Sequence, residues 1–163
     1  MSDGTVLKVD GEVERPLALS FEDLQGIDPR YQVGDVSQLD PKRAGQAVTL
    51  AGLLALAGAR PAAQYLTLHS SADNFHASIP LAAVRDRALL IYRLNRSPLD
   101  AKAGGPIRFL IPDFAACHTA EVDECANVKF VDHIELSRQR GFDNRPTEDE
   151  EHEALHRRQD LGS

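Results

Sequence analysis

Tyr65-Leu66-Thr67-Leu68-His69-Ser70-Ser71-Ala72-Asp73-Asn74-Phe75-His76-Ala77-Ser78-Ile79 reads as two alternating strands around a turn at Ser71 to Asn74. Strands place successive side chains on opposite faces. With those four residues as the loop, Ser70 faces Phe75, His69 faces His76, Thr67 faces Ser78 and Leu66 faces Ile79. Leu66, Leu68, Ala77 and Ile79 then share an apolar face, and His69 and His76 share the polar one. A slip of two residues keeps this division, because the period is two. Directly opposite Cβ atoms lie roughly 5 Å apart, so the two imidazoles are neighbours.

Downstream, Pro80 can start a short helix through Val84 and Arg87. Ala88 to Leu94 is an apolar run suited to a buried strand. Asn95 to Pro98 and Gly104-Gly105-Pro106 are turns, and Ile107 to Ile111 and Val128 to Leu136 are further strands. Upstream, Val6, Leu7 and Val9 lead into the Asp10-Gly11 turn signal, and Val13 to Leu19 returns as a hairpin. Ser20 caps a short helix, with Asp23 three residues on and Gly26 at its end. Pro29 to Gln46 reads as irregular. Thr49 caps a helix from Leu50 to Leu56, closed by Gly58. Short helices among hairpins indicate an α+β fold with a mixed or antiparallel sheet.

The chain has 163 residues and a net charge of −7. Residues 143–160 supply −4 of that, from seven acids and three bases. The composition excludes a basic nucleic-acid footprint. It contains no apolar run of membrane-spanning length. The first residues lack the features of a signal peptide, and two cysteines without an export signal fit a reducing cytoplasm. The expected organisation is one domain over residues 1–138 and an acidic tail over 139–163. That tail is a candidate docking segment for a basic protein partner.

Three groups of side chains can carry chemistry. His69 and His76 can bind zinc, copper or iron if Cys117 or His118 approaches from another segment. The competing reading is a histidine pair with no ligand. Cys117 and Cys125 are too widely spaced for a zinc knuckle. They fit a redox pair, a metal site with His118, or buried thiols. Glu121, Asp123 and Glu124 would raise their thiol pKa values. Arg108, aimed by the Gly104-Gly105-Pro106 turn, and Lys129, at the start of a strand, could together hold a phosphate.

Several pieces of the chain, in order, resemble the molybdopterin-binding domain of the sulfite oxidase family. They are Gly11 through Leu24, Val48-Thr49-Leu50-Ala51-Gly52-Leu53-Leu54 with Ala57-Gly58, Ser71-Ala72-Asp73-Asn74-Phe75 with Ser78-Ile79-Pro80-Leu81, Gly105-Pro106-Ile107-Arg108-Phe109-Leu110-Ile111-Pro112, and Asn127-Val128-Lys129-Phe130-Val131. The resemblance implies that family's fold, an oxidoreductase function, a molybdopterin cofactor, and cofactor contacts at Asp73, Arg108 and Lys129. It also implies a molybdenum-binding cysteine between Tyr31 and Ala47, where this chain has none. A histidine common in the family, five residues before the arginine, is Ala103 here. Two further readings stand beside an active enzyme. One is a non-catalytic module for a small ligand or metal, built on His69, His76, Cys117, His118 and Cys125. The other is an interaction subunit that acts through its tail.

Overall fold

The computed structural model describes residues 4–41, 43–112 and 128–145. Their strands form two five-stranded sheets with short helices between them. β1 (Thr5–Gly11) and β2 (Leu17–Ser20) pair antiparallel and lead into α1 (Phe21–Gln25). Ser20 and Asp23 complete the capping box reciprocally, each side chain meeting the other's backbone N–H. β3 (Gln32–Val33) and β4 (Gln46–Thr49) follow. Next comes α2 (Leu50–Ala57), capped by the Thr49 hydroxyl and closed by Gly58 in the left-handed region. β5 (Tyr65–Ser70) and β6 (Phe75–Pro80) form the expected hairpin, and its register sets His69 opposite His76. α3 (Leu81–Val84), β7 (Leu89–Leu94), β8 (Ser97–Pro98), β9 (Arg108–Leu110) and β10 (His133–Ser137) complete the elements.

The first sheet runs β2-β1-β10-β5-β6, and β1 and β10 are parallel within it. The second runs β3-β4-β7-β8, with β9 also on β7. The architecture is α+β with mixed sheets and short helices, the fold class expected from the sequence. The main core takes residues from both sheets, including Leu7, Leu66, Leu68 and Ile79 from the first and Val48, Leu90 and Phe109 from the second. The opposite face of the second sheet carries a smaller core of Val36, Ala47, Leu89, Ile91, Leu99 and Leu110. Alternation along β7 and β9 explains the division: Leu89 and Ile91 go one way, Leu90 and Tyr92 the other.

Three local expectations give way to tertiary contacts. The β1–β2 hairpin forms as expected, but its turn lies beyond Asp10-Gly11. β1 continues beside β10, with Gly11 opposite Leu136. A Cβ on Gly11 would lie 2.0 Å from the Leu136 carbonyl oxygen, and its φ is +91°, so glycine is required there. Residues 12–15 are drawn to the end of α2, where Glu14 and Arg15 donate to the carbonyls of Gly58 and Ala57. The strand expected from Val128 begins only at His133. Phe130 has φ +59° and donates to the Gly104 carbonyl, which pulls residues 128–131 onto the 104–109 loop. β4 lies where the sequence suggested only irregular chain and a helix cap.

Residues 141–145, within the segment 139–163 assigned to the tail, lie along β6. Asn144 donates to the His76 carbonyl and accepts from its N–H, and Asp143 accepts from the Ser78 N–H. Asp143 and Arg145 form a buried ion pair with a closest N···O distance of 2.7 Å. This segment closes the β6 edge of the sheet. Among the described residues, no helix is long and apolar enough to cross a membrane.

Candidate functional site

The polar face of the first sheet gathers three histidines. His69 and His76 meet through their Nδ1 atoms at 2.8 Å. One of those nitrogens donates and the other accepts, so a single proton lies between the two Nδ1 atoms. His69 Nε2 lies 3.0 Å from Glu135, and His76 Nε2 lies 3.0 Å from the Asn74 side-chain oxygen. His133 stacks on His69 with centroids 4.7 Å apart and reaches Asp10 at 2.6 Å. Phe142 covers His76 edge-on. Burial, and then the charge of His69, pushes the His76 pKa below its ordinary 6.5, against the opposing pull of Asp132 and Asp73.

The strand register thus brings the two histidines together as expected. Their ring nitrogens are already engaged by protein groups. Among the described residues, no three or more histidine, cysteine, aspartate or glutamate side chains are grouped to hold a metal ion. Cys117, His118 and Cys125, the other proposed metal ligands, lie outside the described residues.

The second sheet presents the reverse situation. Arg108 leaves β9 on the same side as Leu110, toward the smaller core. It lines a cavity of about 160 Å³ with Arg43, Ile91, Leu94, Leu99 and Ala103. The Nε atoms of Arg43, Arg93 and Arg108, and Oε1 of Gln46, are buried without a hydrogen-bond partner among the described residues. Burial and the neighbouring Arg43 lower the Arg108 pKa, while Asp40 opposes that shift.

Lys129 joins this group through the 104–109 loop. Gly104 has φ +97°, and a Cβ there would meet Arg108 Cδ and Lys129 Cγ at 3.3 Å each. The missing side chain therefore lets the two cationic stems lie side by side. Phe130 N–H on the Gly104 carbonyl and Val131 N–H on Ile107 hold Lys129 in place. Asp73 sits in the β5–β6 turn, where it accepts from the Ser70 hydroxyl. The 128–132 segment connects the two places, because Asp132 accepts from Ser71 N–H and donates its own N–H to the His69 carbonyl.

Sequence reasoning missed Arg43, Arg93 and Gln46. One signal existed: Arg93 interrupts the otherwise apolar run from Ala88 to Leu94. Arg43 gave none, since it lies in an irregular polar stretch.

These residues fit the anionic end of the cofactor implied by the resemblance. Buried guanidinium N–H groups without acceptors carry an unmet demand for oxygen ligands. The donor set lacks a thiolate between Tyr31 and Ala47, so it does not fit a cysteine-ligated metal in that segment.

A family model described as the oxidoreductase molybdopterin binding domain matches residues 46–144. The uncharacterized oxidoreductase YuiH of Bacillus subtilis (strain 168) is 32% identical over an alignment of 114 positions that covers 65% of this chain and 56% of that protein. The sulfane dehydrogenase SoxCD from Paracoccus pantotrophus has a similar structure, with a TM-score of 0.61 at 21% identity. That match covers 86% of this chain and 40% of the other. The chain spans little more than half the length of the curated relative it matches. At 21% identity, the structural likeness shows a shared fold alone.

Proposed function

The chain belongs to the oxidoreductase molybdopterin binding domain family, and on that premise we propose that it binds a molybdopterin through Arg108, Lys129 and Asp73. The observation that carries this reading is the buried, unpartnered Arg108 Nε beside Lys129 on the Gly104 loop. Molybdopterin ends in a phosphate, and forked guanidinium donors match phosphate oxygens. In this reading Arg108 grips the phosphate, Lys129 adds a second positive charge from the exposed side, and Asp73 accepts hydrogen bonds from the pterin's N–H groups. When bound, the molybdenum pterin supplies two-electron redox chemistry. The chain's own part is to bind and orient the group.

With no cysteine from Tyr31 to Ala47, the metal takes no protein thiolate from that segment. Catalysis of the family's kind then needs a different ligand arrangement. The binding function stands apart from it.

Protein expressed in a molybdenum-replete host tests this reading. It should carry molybdenum and release a fluorescent pterin on oxidative work-up. Arg108→Gln and Lys129→Gln should lower both in parallel while the protein remains folded. Wild-type protein free of both molybdenum and pterin would sink the reading.

A further inference from the structure

The two edges of the first sheet are finished differently. Residues 141–145 close the β6 edge. At the other edge, β2 pairs only with β1 among the described residues. Lys8 of β1 donates its N–H to the Asp132 carbonyl, on the β10 side. Lys8 therefore faces away from β2, and Ala18, opposite it in the register, turns its own N–H and C=O outward. Ala18 is exposed.

That outward edge borders a groove of about 710 Å³, whose walls include Leu17, Ile27, Tyr31, Ala55 and Leu56. Leu56 is 42% exposed, one of the few large apolar side chains left open to solvent. The rim carries Glu22, Asp23 and Asp28 against a single cation, Arg30, which Asp28 engages at 3.5 Å. An unpaired strand edge beside an apolar groove can accept an added strand. Main-chain hydrogen bonds then align the incoming peptide, and its alternate side chains enter the groove.

We propose that the β2 edge and this groove bind a short, extended, basic segment of a partner protein. Charge selects that occupant. The whole chain carries −7, and its own residues 146–163 hold six acids and two bases. A second copy of the chain, or that segment, would bring like charge to an acidic rim. A lysine- or arginine-flanked segment brings the opposite charge. The edge also limits what it takes. Pro16 has no N–H to offer, and the Ser20 N–H is held by the Asp23 carboxylate. Pairing is thus confined to Leu17 through Leu19, about 10 Å of strand at about 3.3 Å per residue. The inference does not depend on the molybdopterin reading.

A random dodecapeptide display library, selected on the full-length protein, tests it. The selected peptides should carry Lys or Arg beside alternating apolar residues. Synthesised with a fluorescent label, they should bind saturably by anisotropy. Ala18→Pro removes the outward N–H and should weaken binding about fivefold or more, the loss of one hydrogen bond. Leu56→Ser and Glu22→Gln should each weaken it several-fold, and the Glu22→Gln effect should shrink as salt rises. Arg85→Gln, exposed and outside the groove, should leave it unchanged.

Circular dichroism establishes that each variant is folded. Should Ala18→Pro fail to fold, hydrogen exchange at the Ala18 N–H of the wild type decides instead. Slower exchange with peptide bound supports the added strand, and unchanged exchange overturns it. Absence of saturable binding, selected peptides without basic residues, or equal binding by folded Ala18→Pro and Leu56→Ser also overturns the proposal. Sedimentation equilibrium covers the remaining occupant: a dimer that Ala18→Pro abolishes would assign the edge to a second copy and overturn the basic partner.

Discussion

On the first sheet, His69 and His76 direct their ring nitrogens at each other, Glu135 and Asn74. On the second, Arg43, Arg93 and Arg108 each keep a buried Nε without a partner among the described residues. Both regions concentrate titratable or charged side chains on a sheet face. The first has internal acceptors and donors in register, so its polar groups stabilise the fold. The second does not among the described residues, and this is what favours the proposed anionic ligand there. Ordinary candidates for a metal site, two facing histidines, thus turn out less suggestive of a ligand than arginines in unremarkable sequence.

Removing one cation from each region should break the comparison most sharply. Arg145→Ala strips the closest cation from Asp143, whose carboxylate is buried, accepts from the Ser78 N–H and keeps only the half-exposed Arg140 at 3.3 Å. Breaking the buried pair leaves a poorly compensated charge and should cost about 3 kcal/mol in urea unfolding. The next largest effect should come from Gly104→Ala. A non-glycine residue at φ +97° is strained, and its Cβ presses on the stems of Arg108 and Lys129. A loss of about 1–2 kcal/mol is expected, with a lower pterin content in protein from a molybdenum-replete host. If stability falls but pterin content is unchanged, the loop does not position the two cations.

Arg108→Met should behave differently from Arg145→Ala. It removes a half-buried guanidinium whose Nε lacks a partner among the described residues, and keeps the apolar volume. Without ligand, the change should be neutral or stabilising by about 1 kcal/mol in thermal unfolding. A loss comparable to that of Arg145→Ala would mean that the arginine face is satisfied internally after all.

The smallest effect should be the pH response of the histidine face. Because the folded protein holds His76 below its ordinary pKa of 6.5, the unfolded chain binds the proton more tightly. The stability contribution is therefore complete above pH 6.5 and is lost as pH falls below it, toward the folded pKa. Melting temperature followed through that range should drop more in wild type than in His76→Gln. Equal slopes would remove His76 as the cause.

The hairpin from Tyr65 to Pro80 was legible from the sequence because every determinant is local. Alternation, a short polar loop and the apolar face together specify the register that places His69 against His76. The capping box at Ser20 and Asp23 and the left-handed close at Gly58 were legible for the same reason. Val128 to Leu136 was not fully legible. Its composition suits a strand, but the Gly104 carbonyl and the Ile107 carbonyl claim the N–H groups of Phe130 and Val131. At Gly11 the turn signal lost to pairing with β10, a partner more than a hundred residues away in the chain.

The sequence by itself determined the fold class and the family, since each follows from short ordered motifs or from local periodicity. Only the tertiary structure decided which charges are satisfied. Whether a buried N–H has an acceptor depends on what other segments bring to it. Arg43 and Arg108 are far apart in sequence, on a loop and a strand with no shared pattern. Their meeting above an apolar floor is a product of how the second sheet and its flanking loop pack.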